Sequence, residues 1–373
     1  MQDERNETAH PREVKAAIGF PCRQCGNQMA YAPALGKLFC AYCKSEDEIE
    51  SREIEAAEYT YYPDEERFEA PAWENEPEQL LTCPSCGADT VLSAAAMTAS
   101  CPFCSSHYVT SAPTDKELIQ PETMIPFRIS EAVAGERFAE WAKKRWLAPR
   151  AFKTEAKKKE MRGIYIPYWT FDASLYTDYD GFGGKDRIER YTVTVNGKRE
   201  TRTRTRTDWY PISGRMHLDF DNIPCPATRQ IDRALLDKLG PYSLTVLNVY
   251  HPAYLAGFMA ERYSVGLSEG FETVKRVMER RMVAHIESSL HFDHYRGMRY
   301  RHAYESVKFK HILLPLWLSA YAFRGKVYQF MVNGETGRVA GKSPLSALKV
   351  ALLVAGGILA AGALLLLFSY LGQ

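Results

Sequence analysis

Eight of the nine cysteines in this 373-residue chain stand in two quartets of identical spacing, and that repeat constrains the fold more than any other feature. Cys22, Cys25, Cys40 and Cys43 form the first; Cys83, Cys86, Cys101 and Cys104 form the second. Each reads C-x2-C, fourteen intervening residues, C-x2-C, and every cysteine of the second set lies 61 positions after its counterpart. Two tight pairs at this separation have the spacing of a four-cysteine zinc ribbon. A tetrahedral Zn2+ takes four thiolates at about 2.3 Å, two from each C-x2-C turn, once a hairpin brings the turns face to face. Gly26 and Gly87 follow the second cysteine of each leading pair, where a residue without Cβ takes positive φ at no steric cost. Residues 28–39, with Gly36-Lys37 as the turn, and residues 90–100 are long enough for the two hairpins. Disulfides or unrelated thiols are the rival reading, but chance does not copy a quartet at constant spacing. Four protein ligands leave no open position for water, so the two expected Zn2+ ions are structural and zinc catalysis is not implied.

Composition is that of a folded protein, 46% hydrophobic and 25% charged, at a length suited to one sizeable domain with small modules. The net charge of +1 conceals an asymmetry. Residues 1–110 carry nineteen Asp/Glu against eight Lys/Arg, a net of −11, and the rest carry 27 against 39, a net of +12. Zinc-spaced thiols plus the single odd Cys225 suit a reducing compartment, and the polar start, Met1–Arg5, offers no signal-peptide run. From Val350 to Phe368, nineteen consecutive residues lack a charged or strongly polar side chain. That length matches a hydrocarbon core of about 30 Å. A buried core helix is the alternative, disfavoured because the run is apolar on every face. Arg338, Lys342 and Lys349 precede it and no basic residue follows, so the positive-inside rule expects a single-pass tail anchor in the inner membrane with the N-terminal bulk in the cytoplasm. Gly356/Ala360 and Gly357/Ala361 have the small-xxx-small spacing that lets such helices pair into an oligomer.

The expected divisions are a flexible N-terminus (1–20), ribbon one (21–44), an acidic linker (45–81), ribbon two (82–108), an α+β body (115–343) and a transmembrane helix (347–371). Within the linker, Glu46–Glu58 reads as a short helix, and the remainder, with Pro63, Pro71 and Pro77, as a solvated extended chain or a docking segment for a basic partner. In the body, Ser130 caps a helix running to about Leu147. Lys157-Lys158-Lys159 is a solvated helix face or a contact for anionic lipid. Gly163–Leu175 is strand-like; Tyr191–Val195 meets the hairpin turn Asn196-Gly197, and Lys198–Asp208 returns. Arg202, Arg204 and Arg206 then share one face, either guarding an edge strand or binding phosphate, lipid headgroups or an acidic protein. Arg229–Gly240 and about Glu269–His291 read as helices. Ser306–Tyr321, broken at Pro315, and Lys326–Val332, turning at Asn333-Gly334 into Arg338–Gly341, read as strands. Strands, then helices, then strands suggest an α+β body with antiparallel hairpins.

Other signals carry less. Thr336–Ser343 resembles a phosphate-binding loop but has Thr336 where the first glycine belongs, and it follows a hairpin turn. Six of the nine histidines lie between 251 and 311, including His291 and His294, without an H-E-x-x-H pattern. His107 follows a quartet that is already complete, and no histidine is paired with Cys225 by any motif. No enzyme signature is present. A nucleic-acid role is weakened by charge: ribbon one has only Arg23, Lys37 and Lys44, and ribbon two has no Lys or Arg between Cys83 and Cys104.

Taken with the ribbons, the stretches Tyr165–Asp172 (YIPYWTFD), Tyr254–Glu261 (YLAGFMAE), Leu314–Trp317 (LPLW) and Val332–Gly337 (VNGETG) before a closing apolar helix resemble a bacterial family of TFIIB-type zinc-ribbon membrane proteins. Its members often carry primosomal or helicase labels because of the ribbon, and no helicase motor accompanies it here. Some are encoded beside PspA-like phage-shock and SPFH (flotillin-like) proteins. The resemblance implies a non-enzymatic adaptor that helps attach such membrane-stress proteins to the bilayer. A membrane-tethered nucleic-acid-binding protein of replication or transcription is the alternative.

Overall fold

The computed structural model describes residues 20–50, 53–54, 58–65, 67–68, 79–83, 86–92, 103, 110–111, 119–150, 152, 161–195, 198–245, 247–323 and 326–371. The first strands are β1 (Ala30–Ala32), β2 (Lys37–Phe39), β3 (Glu46–Asp47), β4 (Glu53–Ile54), β5 (Tyr59–Tyr62) and β6 (Arg67–Phe68). Then come β7 (Gln79–Thr82), β8 (Asp89–Leu92), β9 (Thr110–Ser111), β10 (Thr123–Met124) and helix α1 (Glu131–Lys143). Two long strands follow, β11 (Arg162–Val195) and β12 (Lys198–Pro226), then α2 (Arg233–Leu239), β13 (Leu247–Val249), β14 (Met259–Glu261) and α3 (Leu267–Leu290). The last elements are β15 (His294–Phe323), β16 (Lys326–Asn333), β17 (Val339–Gly341) and α4 (Ala347–Leu371).

The expected mixture of helices and antiparallel hairpins is present, but its strands are far longer than their sequence suggests. β11 has 34 residues, on the order of 100 Å at ~3.3 Å per residue, and pairs antiparallel with β12 on one side and β15 on the other. Gly163–Leu175 and Tyr191–Val195, which read as separate strands, are two ends of it. Gly183 and Gly214 sit inside these strands because neighbours fill the space of a side chain: a Cβ at Gly183 would lie 2.5 Å from Phe292, and one at Gly214 2.5 Å from the Tyr179 hydroxyl. β15 likewise runs through Pro315 without a break, in register with Tyr165. Val195 faces Lys198, the register a two-residue hairpin demands; the Asn196-Gly197 turn itself lies outside the described residues.

Three apolar clusters hold the body. At the base, Phe127 is fully buried, stacked on Phe258 at 4.4 Å and against Trp317 at 4.9 Å and Tyr165 at 5.1 Å. Along the long strands, α3 buries Phe271, Val274, Met278, Met282 and Ile286, one side chain per turn, facing Trp169, Phe171 and Leu175. Gly270 lets this helix approach, since a Cβ there would stand 2.9 Å from the Trp169 ring. Both buried indoles find acceptors: Trp169 Nε1 donates to Val265 O at 2.9 Å and Trp317 Nε1 to Ile129 O at 2.8 Å. The four motif stretches thus meet in one base, β11 against β14 and β15, and β15 against the end of β16.

The linker departs from expectation. Where a helix was read over Glu46–Glu58, the described residues form β3 and β4, each paired to a neighbour, because β2 of the first module and β13 of the body offer open edges. Tyr59–Tyr62 is strand β5 on β15 rather than solvated chain, with Tyr61 buried against Phe271 and Phe309. α1 begins on the Ser130 cap as expected, and Ser130 Oγ accepts from Val133 N. α4 is 25 residues long with an 18-residue stretch of mean hydropathy 2.1 and none of it buried, and is the one helix among the described residues long and apolar enough to cross a membrane.

Glu261 on β14 is a buried carboxylate whose Oε1 accepts from Thr228 Oγ1 at 2.5 Å while Oε2 has no partner. Burial pushes its carboxyl up to about 8; the Thr228 hydroxyl opposes that rise and Asp89 adds to it. A folded-state value above the ordinary 4.5 favours the protonated form, so its stability contribution is complete below that value and is lost as pH rises through about 8. Glu261→Gln is therefore expected to melt with wild type near pH 5 and above it near pH 9, measured by thermal unfolding of the full chain.

Candidate metal centre

The chain reverses at each C-x2-C turn in the same way. Gly26 N donates to Cys22 O at 2.8 Å and Cys22 N to Asn27 O at 2.7 Å, with Gly26 at φ +74°. In the second turn Lys44 N donates to Cys40 O and Cys40 N to Ser45 O, both at 2.9 Å, with Lys44 at φ 65°. Lysine occupies a left-handed position here without glycine's freedom, and its Nζ returns to Ala41 O at 2.7 Å. The hairpin β1–β2 brings the turns together, reversing over residues 33–36 with Gly36 at φ +69°.

The four sulfurs of Cys22, Cys25, Cys40 and Cys43 lie within 4.8 Å of one another, with Cys22–Cys43 and Cys25–Cys40 each at 3.5 Å, and all four are free thiols. A tetrahedron with 2.3 Å metal–sulfur bonds has edges of about 3.8 Å, so the set fits a thiophilic cation without rearrangement. Ser45, which carries no signal in the spacing, supplies the outer contact: its Oγ stands 3.0 Å from Cys22 Sγ and 3.1 Å from Cys43 Sγ. That hydroxyl is the main reason the Cys22 thiol is lowered to about 6, and it lowers Cys43 as well. Cys25 shows the opposing force. The Asn27 N–H pulls its value down, but burial and the three neighbouring sulfurs carry it up to about 11. Crowded thiolates resist the last ionisation, and a dication removes that resistance.

The second quartet is described in part. Gly87 N donates to Cys83 O at 2.8 Å and Cys83 N to Ala88 O at 2.9 Å, with Gly87 at φ +71°, a copy of the Cys22 turn. Cys101, Cys104 and His107 lie outside the described residues, as do Lys157–Lys159.

Both modules join the body. Tyr31 N donates to Ala256 O at 2.9 Å, Tyr31 Oη donates to Phe127 O at 3.0 Å, and Met29, Tyr31 and Leu38 share a buried cluster with Phe127 and Tyr254. Gly257 at φ +87° lies 3.2 Å, from where its Cβ would be, to the Ala30 methyl. The second module instead lends a strand: β8 pairs with β14, and Phe103 is buried beneath Gln329, whose Nε2 donates to its carbonyl at 3.0 Å.

The other sequence signals are not brought together with this centre. Arg202, Arg204 and Arg206 are exposed but face acids, at 3.2 Å to Glu200, 2.8 Å to Glu189 and 3.7 Å to Asp208. The histidines scatter. His291 ends α3 in the left-handed region, His294 meets Asp186 at 3.0 Å, and His302 meets Thr177 at 2.8 Å. His311 is buried, its Nδ1 2.8 Å from Ile119 O, and burial pushes it down to about 4. Cys225 is buried and its thiol is pushed up to about 11 by burial, the opposite of a reactive thiolate. In Thr336–Ser343 the backbone serves a hairpin turn, with Glu335 N and Thr336 N both donating to Asn333 Oδ1 at 2.9 Å. One constellation escaped the sequence reading, Glu58, Asp172 and Asp221, and Lys310 fills it, 3.0 Å from Glu58 and 3.7 Å from Asp172. Ser45→Ala is expected to weaken metal retention roughly 10–100-fold, as loss of an outer-shell partner does, read by chelator competition on the full chain with the circular dichroism unchanged.

No protein-family model and no solved structure matches the chain. Over 344 residues it is 31% identical to the Bacillus subtilis (strain 168) protein named Uncharacterized protein YdjG, an alignment covering 91% of this chain and 94% of that one. The two share sequence across nearly their whole lengths, and the chain belongs to the YdjG family.

Proposed function

We propose that the chain is a non-enzymatic, membrane-anchored zinc adaptor. In this reading α4 is the anchor, the N-terminal bulk is cytoplasmic, and two structural Zn2+ ions are held by Cys22, Cys25, Cys40 and Cys43 and by Cys83, Cys86, Cys101 and Cys104. The ribbons and their acidic surroundings present a docking face to a cytosolic or membrane-stress protein of the SPFH or PspA-like kind. The observation that carries it is the closed four-sulfur cluster tied by Tyr31 into the body core: it has the donor set of a structural site and no position for a substrate. The exposed apolar α4 supports the anchor. A nucleic-acid role draws no comparable support, because each arginine of the ladder already faces a carboxylate.

Metal analysis of the purified full chain is expected to return two zinc ions per polypeptide, falling to one in Cys22→Ser; one or none in wild type would remove the second ribbon or both. The functional test is a mild-detergent pull-down of the full-length protein from native membranes, quantifying co-purified protein and nucleic acid. SPFH- or PspA-like proteins without nucleic acid are the expected yield. Nuclease-sensitive nucleic acid accompanied by replication or transcription proteins would replace the adaptor with the tethered nucleic-acid reading.

A further inference from the structure

Helix α4 does not leave the body on a free tether. Ser346 N donates to Leu147 O at 2.9 Å, and Lys349 Nζ donates to Trp146 O at 2.7 Å and to Ala148 O at 2.9 Å. Lys349 is the last charge before the apolar run that starts at Val350, so the backbone of Trp146 is held at the level where hydrocarbon would begin. At that level the side chains are of the kind a bilayer boundary selects. Trp146 is 60% exposed, whereas Trp169 and Trp317 are buried and each donates its indole N–H within the protein. Leu345 and Leu348, beside it at the start of α4, are 66% and 71% exposed. Lys143, Lys144, Arg145 and Arg150 are exposed around Trp146, and residues 141–150 contain no acid; nor do residues 338–350. The Arg145 guanidinium lies 4.6 Å over the Trp141 ring, which holds that charge beside the loop. An amphipathic indole favours the headgroup boundary, and clustered Lys/Arg next to a spanning helix favours an anionic leaflet.

We propose that residues 143–150 form a second membrane-contact element, in which Trp146 seats at the headgroup–acyl boundary and Lys143, Lys144, Arg145 and Arg150 bind anionic lipid headgroups. The element rests on the reading of α4 as the anchor and deepens it: with two contacts the body is held at one tilt, instead of swivelling about a single helix.

The test uses the full chain in nanodiscs whose lipids are brominated high on the acyl chain, with or without anionic phosphatidylglycerol, reading tryptophan quenching. Wild type is expected to be quenched, at least twofold more in anionic discs, with most of the quenching lost in Trp146→Phe. Lys144→Gln with Arg145→Gln is expected to erase the difference between the two lipids. Because Trp146 is exposed, Trp146→Phe leaves the core intact. Failure to recover the protein in discs would overturn the anchor reading itself. Insertion with quenching unaltered by Trp146→Phe would overturn this surface alone, and a lipid difference that survives the double Gln variant would overturn its charge recognition.

Discussion

Strand β11 carries the rest of the molecule because both its edges are occupied over its central stretch, Tyr168–Gly184. Its ladder with β15 runs from Arg162 to Gly184 and its ladder with β12 from Tyr168 to Val195. Between Tyr168 and Gly184 the strand is therefore paired on both sides, which meets its backbone N–H and C=O groups there, while Lys185–Val195 continues as a two-stranded ribbon with β12 alone. A sheet that long has to twist, and extra residues in the outer strands supply the play. Asn222 on β12 and Ser306 on β15, both at φ 52°, bulge around Asp172, and Gly297 at φ +62° bulges on β15 opposite Gly181. The charged cluster of Glu58, Asp172 and Lys310 sits at the first pair of bulges, where the ladder leaves polar groups to be met by side chains. Lys310 Nζ also donates to Asn222 Oδ1 at 2.8 Å, which anchors the left-handed residue.

The two cysteine modules, copies by sequence, solve the same problem of attachment differently. A module of this size buries too little apolar surface to hold a fixed place alone. The first is clamped by aromatic packing and a pair of hydrogen bonds from Tyr31; the second surrenders a strand to the sheet through β8. Position 31 is Tyr and its counterpart 92 is Leu, so the copies diverged at the residue that decides how each docks. What they keep in common is the glycine turn after the leading pair, with Gly26 at φ +74° and Gly87 at φ +71°.

How far this was legible in sequence follows from which forces are local. Helix α1 with its Ser130 cap, the helical stretches α3 and α4 and the Cys22 turn are written in neighbouring residues and appear where the sequence places them. The strands were cut short because Gly181, Gly183, Gly184 and Gly214 are ordinarily punctuation, whereas here they are clearances for Met298, Thr207 and Tyr179 from adjacent strands and for Phe292 from the turn before β15. Pro315 misled for a related reason: its carbonyl accepts from Gly334 N at 2.9 Å and from Tyr242 Oη at 3.2 Å, so a residue that donates nothing still earns its place in β15. Glu46–Glu58 has helical composition, but open edges on β2 and β13 outcompete a short helix that has no core of its own. Ser45 was invisible because its value depends on the fold bringing Cys22 back over Cys43.

The charge division of the sequence takes on a different meaning once its pairs are seen. Part of the acidic half is spent inside the molecule, with Glu58 on Lys308 and Lys310, and Glu46 and Glu48 on Lys37. Part of the basic half is spent likewise along the long hairpin, on Glu189, Glu200 and Asp208. Exposed pairs of this kind contribute only about 0–1 kcal/mol each, so they explain little of the stability. The arginine ladder, the most conspicuous basic feature of the sequence, is largely answered by its own hairpin, whereas the described segments that flank the start of α4 contain cations and no acids at all. The charge of the halves is thus uneven within them: residues 141–150 and 338–350, which flank the start of the apolar helix α4, carry four and three cations and no acid.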